Sequence, residues 1–470
     1  MIDEEKHCVV SQWLVEVDSD KFLQLSSASD LNRNLLDPDS GQGMLTVGLP
    51  SPQFLATELD ETIFWFPRGI PMGQSLHLAS SRIGKQPDTK PGIFSALRSL
   101  IGRISSNSTF FTTASEVALH DYVCRLAELS RVPIVEFRRM PNRVDSDWFR
   151  NILNSTHGYV CYFNSCSSID ELLIGSAREA RILSARAKGN VLKATKARIR
   201  RNSQPVTHDD ARTYLLIDEN LTSPSVADEL EKQHIIKWWL FSEAETNQTM
   251  PPNHSQNDSK IMPLNEFLNQ SKISQNKIDL DDYLIHWTRR RTGPWPGQSR
   301  DDFLDDLIFG FNASDHRRIA ALCRILASGI LIGDSQLCRA NVPVVCFSDI
   351  NVDQVIEKRV FRSHLSRWDF EPCGIAVRKD SLQPFGAKPV IYGDDEAWGS
   401  LGDNERPYFQ LANSCSGKNQ IDWTQEKEWR IAGNLDLKSL GVEAAFLFAE
   451  SYQEAELVAS LSRWPVVVLN

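Results

Sequence analysis

The chain has no apolar run near the ~18 residues that a membrane-crossing helix needs. Its first residues, MIDEEKH, have neither the basic start nor the apolar stretch of a secretory leader. A cytoplasmic location and no membrane partner are therefore expected. Cysteine is sparse: there are nine, an odd number, and no C-x-x-C. That pattern argues against a disulfide framework or a structural zinc site. Cys161 and Cys166 read as buried thiols. No D…E-x-K or H-N-H arrangement supports a nuclease, and no His/Cys/Asp cluster suggests a metal. Internal repeats are absent. Positive charge is in deficit, with 51 Lys plus Arg against 61 Asp plus Glu and a net charge of -10. This disfavours a protein that coats nucleic acid with its whole surface. A local basic patch stays open.

What is present is an ordinary globular composition, 41% apolar and 24% charged, over 470 residues. At about 150 residues per domain this predicts two or three domains. Residues 242–277 are rich in Asn, Gln, Ser and Pro, with Phe267 the one aromatic side chain. Such a stretch buries too little to offset its ordering entropy. It reads as a flexible polar linker over 242–278, with a short ordered piece around Leu264 to Leu268. It divides the chain into 1–241 and 279–470.

In the first part, short β-type runs (61–66, 76–79, 109–112, 133–137, 158–163, 180–184, 213–217 and 235–241) alternate with helical periodicity (91–104, 115–129 and 226–232). Alternation of this kind predicts an α/β domain with a mostly parallel sheet covered on both faces. The first 55 residues read as a β-rich lead-in. In the second part, strands at 283–288, 342–347, 374–377, 389–392, 428–431, 445–448 and 465–469 surround helices at 301–309 and 315–326. Short strands with long connections predict a mixed α+β domain.

The clearest local signal in the second part is Leu284-Ile285-His286-Trp287-Thr288-Arg289. His286 and Thr288 are two apart on a strand and share a face. Next come Ile325 to Leu331 (ILASGIL), then Val344 to Asp349 (VVCFSD), then Glu426-Lys427-Glu428-Trp429-Arg430-Ile431. The order resembles the ADP-ribosyltransferase superfamily. Its members carry an H-x-T/S strand, an I-L-x-x-G-L helix, a strand with an aromatic residue or Ser, and a late strand with the catalytic Glu. The similarity is to the poly-ADP-ribose polymerase and diphtheria-toxin branch, to bacterial DNA-modifying toxins and to proteins of abortive-infection systems. It covers about 190 residues, 281–470, and the longer His-to-Ser interval calls for a helical insertion at 290–320.

The resemblance implies an ADP-ribosyltransferase-like domain that uses NAD as substrate and needs no metal. Breaking the NAD glycosidic bond produces an oxocarbenium-like ribose. A carboxylate beneath the sugar stabilises that charge most in the transition state. The resemblance assigns His286 to a ribose hydroxyl and Thr288 to its support. It places Ser348 or Phe347 at the nicotinamide, with Trp287 beside them. Glu428 is the first choice for the carboxylate and Glu426 the second, the two sharing one face of a strand. The run Arg289-Arg290-Arg291 suits a pyrophosphate, because guanidinium groups bind phosphate oxygens in pairs. Trp295 and Trp423 read as core side chains, and GPWPG as a rigid turn or a binding loop.

In the first part, LHLASSRIG puts Ser80, Ser81, Arg82 and Gly84 where a strand gives way to a loop. Thr112-Thr113-Ala114-Ser115 forms a second such end, with Ser115 as the expected helix N-cap. Ligands of doubly wound sheets bind beyond these strand ends. The pair of loops resembles Rossmann-like nucleotide-sensing domains related to DNA-processing protein A and lysine-decarboxylase-like proteins, over about 65 residues. Those domains carry G-S-R and S-G-x-A; here Ser80 stands for the Gly and TTAS for the second motif. Residues 178–201 hold nine basic side chains and one acid, Glu179, and suit a nucleotide or a nucleic acid. Together these features point to a nucleotide-sensing domain coupled to an NAD-consuming effector acting on an unknown macromolecular acceptor, an architecture suited to bacterial antiviral defence. The other reading is a non-catalytic ligand-binding or immunity protein.

Overall fold

The computed structural model describes residues 13–18, 21–25, 44–47, 62–66, 73–81, 83–84, 86–104, 108–139, 158–162, 168–202, 211–233, 235–240, 261–273, 278–310, 314–336, 338–354, 361–362, 367–368, 370–416 and 419–469. The chain forms two compact units: residues 1–244 with 300–314, and residues 245–299 with 315–470.

The first unit is built on a nine-stranded sheet. Its parallel part runs Ile236–Trp238, Arg212–Leu216, Glu179–Ser184, Gln74–Ser80, Thr109–Thr113, Ile134–Arg139 and Gly158–Tyr162. Thr62–Phe66 and then Met44–Val47 extend it with antiparallel pairing. Among the described residues, helices follow most of the parallel strands, which gives a Rossmann-like topology. From Gln74–Ser80 the chain moves outward one way, and after Glu179–Ser184 it moves the other way. The crevice between these two strands is the topological switch point.

Helix Pro91–Leu100 starts on a proline, whose missing N–H costs nothing there, and buries Ile93, Phe94, Leu97 and Leu100. The helix expected from residue 115 begins instead at His120, with Leu119 at the cap position and no side-chain cap. A run of turns over 115–119 lets Leu119 enter the core at 1% exposure. Helix Arg300–Phe309, which lies within the stretch assigned to the second domain, belongs to the first unit. It packs Phe303, Leu304, Leu307 and Ile308 into the core around Phe94 and Leu126. Arg125 clamps it through Asp305 at 2.7 and 2.6 Å, and Arg98 donates to the carbonyl of Phe309.

The second unit holds an eight-stranded mixed sheet in the order Ile261–Pro263, Val466–Val468, Ala445–Ala449, Gly374–Arg378, Tyr283–Trp287, Val344–Ser348, Glu428–Ala432, Lys388–Pro389. Apolar clusters cover both faces. Leu284, Val345, Phe347 and Ile431 lie on one, and Tyr283, Ile285, Trp287 and Phe446 on the other. The central strands are therefore nearly continuous apolar runs. Part of the expected linker is structured. Ile261–Pro263 pairs in parallel with Val466–Val468, and helix Leu264–Ile273 follows it. The reason is local: Met262, Leu264 and Phe267 supply the apolar contacts that the Asn- and Ser-rich flanks lack, and Phe267 packs 4.9 Å from the Phe446 ring.

Candidate functional site

The site in the second unit begins with a gap in its sheet. Tyr283–Trp287 pairs with Gly374–Arg378 along its whole length, from Tyr283↔Arg378 to Trp287↔Gly374. Toward Val344–Ser348 it pairs only at Ile285↔Ser348. Beyond that point the two strands splay, and His286 occupies the opening. Its Nδ1 donates 2.9 Å to the carbonyl of Cys346. A carbonyl can only accept, so the proton sits on Nδ1 and Nε2 presents a lone pair. Burial lowers the imidazole pKa and the nearby charge of Arg289 adds to this, while the Cys346 bond opposes both. His286 is thus neutral at pH 7.

Residues from the splayed strands and the loop before Glu428–Ala432 meet in a cavity of about 210 Å³. His286, Trp287, Arg289, Phe347, Ser348, Glu426 and Glu428 all line it, together with Trp423 and Arg430. Register explains the meeting. Ser348 stands opposite both Ile285 and Glu428, and Cys346 stands opposite Arg430.

Glu428 is held side-on by Arg430, whose Nε donates to Oε1 at 2.9 Å and whose Nη2 donates to Oε2 at 3.2 Å. Arg430 is buried at 2% exposure and anchored by the carbonyls of Pro407 and Phe409 and by Gln410. The Glu428 backbone N–H donates to the Tyr392 hydroxyl, whose pKa burial pushes up to about 12. Burial and the Glu428 carboxylate both raise the Cys346 thiol, which stays protonated and is a poor nucleophile. The donors Trp287 Nε1 and Arg289 Nε are buried at this site without a hydrogen-bond partner among the described residues.

Three expectations change here. Glu426 and Glu428 do not share a strand face: Glu426 ends a 3-10 turn, and Lys427 at φ 44 bends the chain between them. The bend lets both carboxylates line one cavity all the same. Thr288 is not among the residues lining this cavity; its hydroxyl and backbone N–H both go to the carbonyl of Cys373, past the end of the strand. Ser348 donates its hydroxyl to the carbonyl of Glu426 at 2.8 Å, so toward a ligand it offers a lone pair.

A second cavity of about 450 Å³ shares His286 and Arg289 with the first. Of its wall, the sequence signals His286, Arg289, Arg291, Trp295 and the ILASGIL stretch, but not Ala321, Arg324 or Ile332. Arg324, Ile325 and Ser328 come from helix Arg318–Ser328, and Ile330 and Ile332 follow it. The helix ends on Gly329 at φ 71, the left-handed stop that ILASGIL signals. Arg291 also lines this cavity, and its Nε donates to the carbonyl of Pro294. Trp295 lines it with its ring already engaged, since His316 stacks 4.5 Å away and the Arg324 guanidinium lies 4.5 Å from the ring centre.

In the first unit, Ser80 and Ser81 sit at the switch point. Ser81 N–H donates to the carbonyl of Ser184, and the N–H of Arg186 donates to Ser81 Oγ at 3.0 Å. The two strand ends are thus tied together. Gly84 at φ 89 turns the following loop, and Arg82 lies outside the described residues. Thr113 is buried beside His120, with Oγ1 and Nδ1 3.4 Å apart. Ser115 is exposed, caps no helix and lies 3.4 Å from the Glu116 carboxylate. The basic stretch is partly internal. Arg198, at 1% exposure, donates to the carbonyls of Ile174, Ala177, Arg178 and Arg212 and to Thr213. Arg181 pairs with Glu179, and Lys196 with Glu229.

Among the described residues, no group of three His, Cys, Asp or Glu is placed to hold a metal ion, and no helix is long and apolar enough to cross a membrane. No known family matches the chain, and no curated protein does. Among solved structures, it is similar to DNA processing protein A from Helicobacter pylori, described for its single-stranded DNA binding mode. That similarity has 10% identity and a TM-score of 0.27, and covers 42% of this chain and 92% of the other.

Proposed function

We propose that the second unit is ADP-ribosyltransferase-like, binds NAD and cleaves its bond to nicotinamide, passing ADP-ribose to a macromolecular acceptor or to water. One observation carries this reading: His286, Ser348 and Glu428, distant in sequence and on three neighbouring strands, line a single cavity. In this reading the C1′–N bond breaks and its electron pair leaves with neutral nicotinamide. Glu428, held by Arg430, faces the positive charge that develops on the ribose, where a fixed carboxylate acts without reorganising. The acceptor or water attacks C1′, and Glu426 takes its proton. Nε2 of His286 accepts a hydrogen bond from a ribose hydroxyl. Trp287 Nε1 and Arg289 Nε supply donors to the ligand. The first unit would take a nucleotide-type ligand or nucleic acid at the Ser80–Ser81 crevice, as a sensing site.

A binding module without catalysis is the second reading, favoured by the ion pair that half-neutralises Glu428. Nicotinamide release by the purified chain, with nucleic acid and lysate supplied as acceptors, separates the two. Removal of a preorganised charge costs about 10²–10³ in rate. Glu428→Gln should lose release by that factor while NAD still binds by calorimetry. No release from the wild type, with no NAD binding, would overturn the NAD reading. Binding with no release in any acceptor mixture would favour the module.

A further inference from the structure

The larger cavity has a charge imbalance that NAD does not fully answer. Three arginines line it, Arg289 and Arg291 from the loop after Tyr283–Trp287 and Arg324 from the helix opposite. Among the described residues its wall includes no Asp or Glu. Among the described residues none of these three arginines is in an ion pair, although Arg125, Arg318 and Arg430 in the same chain all are. The Nε of Arg289 is buried without a hydrogen-bond partner among the described residues. Like charges gathered on one partly apolar wall repel one another; Arg289 and Arg291 are half-buried there and Arg324 is exposed. They persist where an anion completes them. Ile325, Leu331 and Ile332 add an apolar surface suited to a base or a ribose.

The pyrophosphate of a dinucleotide carries two negative charges against these three guanidinium groups. We propose that the cavity is selective for a dinucleotide with an additional phosphomonoester, so that the preferred substrate is NADP rather than NAD. Arg324 is the residue that reads the extra phosphate. It comes from the element opposite the Arg289–Arg291 loop, and its packing on Trp295 holds the guanidinium in place. This rests on the dinucleotide reading of the site and adds its specificity.

The test titrates the full chain with NADP and with NAD by calorimetry and follows nicotinamide release from each. NADP should bind at least tenfold more tightly. Its affinity should also fall more steeply with salt, because one more charge pair is screened. Arg324→Met should bring the NADP-to-NAD preference to near one, and Arg324→Lys should keep most of it. Comparing a ratio within each variant separates the effect from general damage, and a melting curve identifies a variant that has failed to fold. Equal binding of NAD and NADP, with release still abolished by Glu428→Gln, would overturn the phosphate selectivity and leave the glycosidic reading standing. Tight NADP binding with Glu428→Gln without effect on release would support the anion site and remove the catalytic reading. Binding of neither dinucleotide would remove both.

Discussion

At the level of single side chains, the first unit contains a histidine with a measurable consequence. His77 is buried at 1% exposure, its Nδ1 bonded to the carbonyl of Thr112 and its Nε2 unpartnered among the described residues. Burial holds its pKa down at about 4, with the Arg198 charge adding to the effect and the Thr112 bond opposing it. An exposed imidazole titrates near ~6.5. Above that pH neither folded nor unfolded chain is protonated at this site, and stability is insensitive to it. Between pH 6.5 and about 4 only the unfolded chain takes the proton, so stability falls as the pH drops through this window. The loss from this one group totals roughly 3 kcal/mol. Urea midpoints collected from pH 7.5 to 4.5 should decline more steeply for the wild type than for His77→Gln, and parallel curves would assign the acid sensitivity elsewhere. The sequence places His77 on a strand and says nothing of its burial. Burial came from Ala180 and Thr112 standing opposite it on the neighbouring strands. The same holds for Arg198, whose place in a basic run concealed an internal role.

At the level of elements, the sheet of the second unit depends on close approach at Gly374. This residue stands opposite Trp287, and a Cβ there would lie 2.3 Å from the carbonyl oxygen of His286 and 2.8 Å from Phe448 Cζ. Backbone cannot yield as a flexible side chain can. Gly374→Ala should therefore push Tyr283–Trp287 out of register, lower stability by about 1–3 kcal/mol and, under the proposed function, weaken NAD binding by moving His286. Thermal melting with calorimetry reads both effects; unchanged values in each would mean that the sheet absorbs the methyl group. Strand order is invisible in the sequence, so neither the splay beside His286 nor this contact was legible. What was legible is the series of short apolar runs, which placed the central strands within a residue or two. The same pattern marked only 264–268 of the ordered stretch 261–273, where a few apolar residues lie within a polar segment, and it failed at Ser115, where a good capping residue precedes a series of turns rather than a helix.

For the whole molecule, the division into units has a testable outcome. The chain leaves the first unit after residue 244, enters the second, and returns to the first for residues 300–314. A fragment ending at residue 244 therefore lacks Phe303, Leu304, Leu307 and Ile308, which fill its core. It should expose their apolar socket, bind a hydrophobic dye and melt less cooperatively than the full chain. Addition of a 300–314 peptide should reverse these changes, through the Arg125–Asp305 clamp and the apolar face. A fragment that melts sharply at the same temperature with or without the peptide would show that the helix is dispensable.

Composition, helical and strand periodicity and short motifs are local properties, and the sequence alone determines them. From them come the α/β character of the first unit, the mixed character of the second, and the residue types able to do chemistry: His286, Ser348, Glu426 and Glu428. Their convergence is not local. It follows from strand order and register, which depend on how apolar faces pair across scores of intervening residues. Tertiary structure alone decided that Glu428 is held by Arg430, that Thr288 turns away, that Arg324 joins Arg289 and Arg291 around one cavity, and that helix Arg300–Phe309 completes the first unit's core.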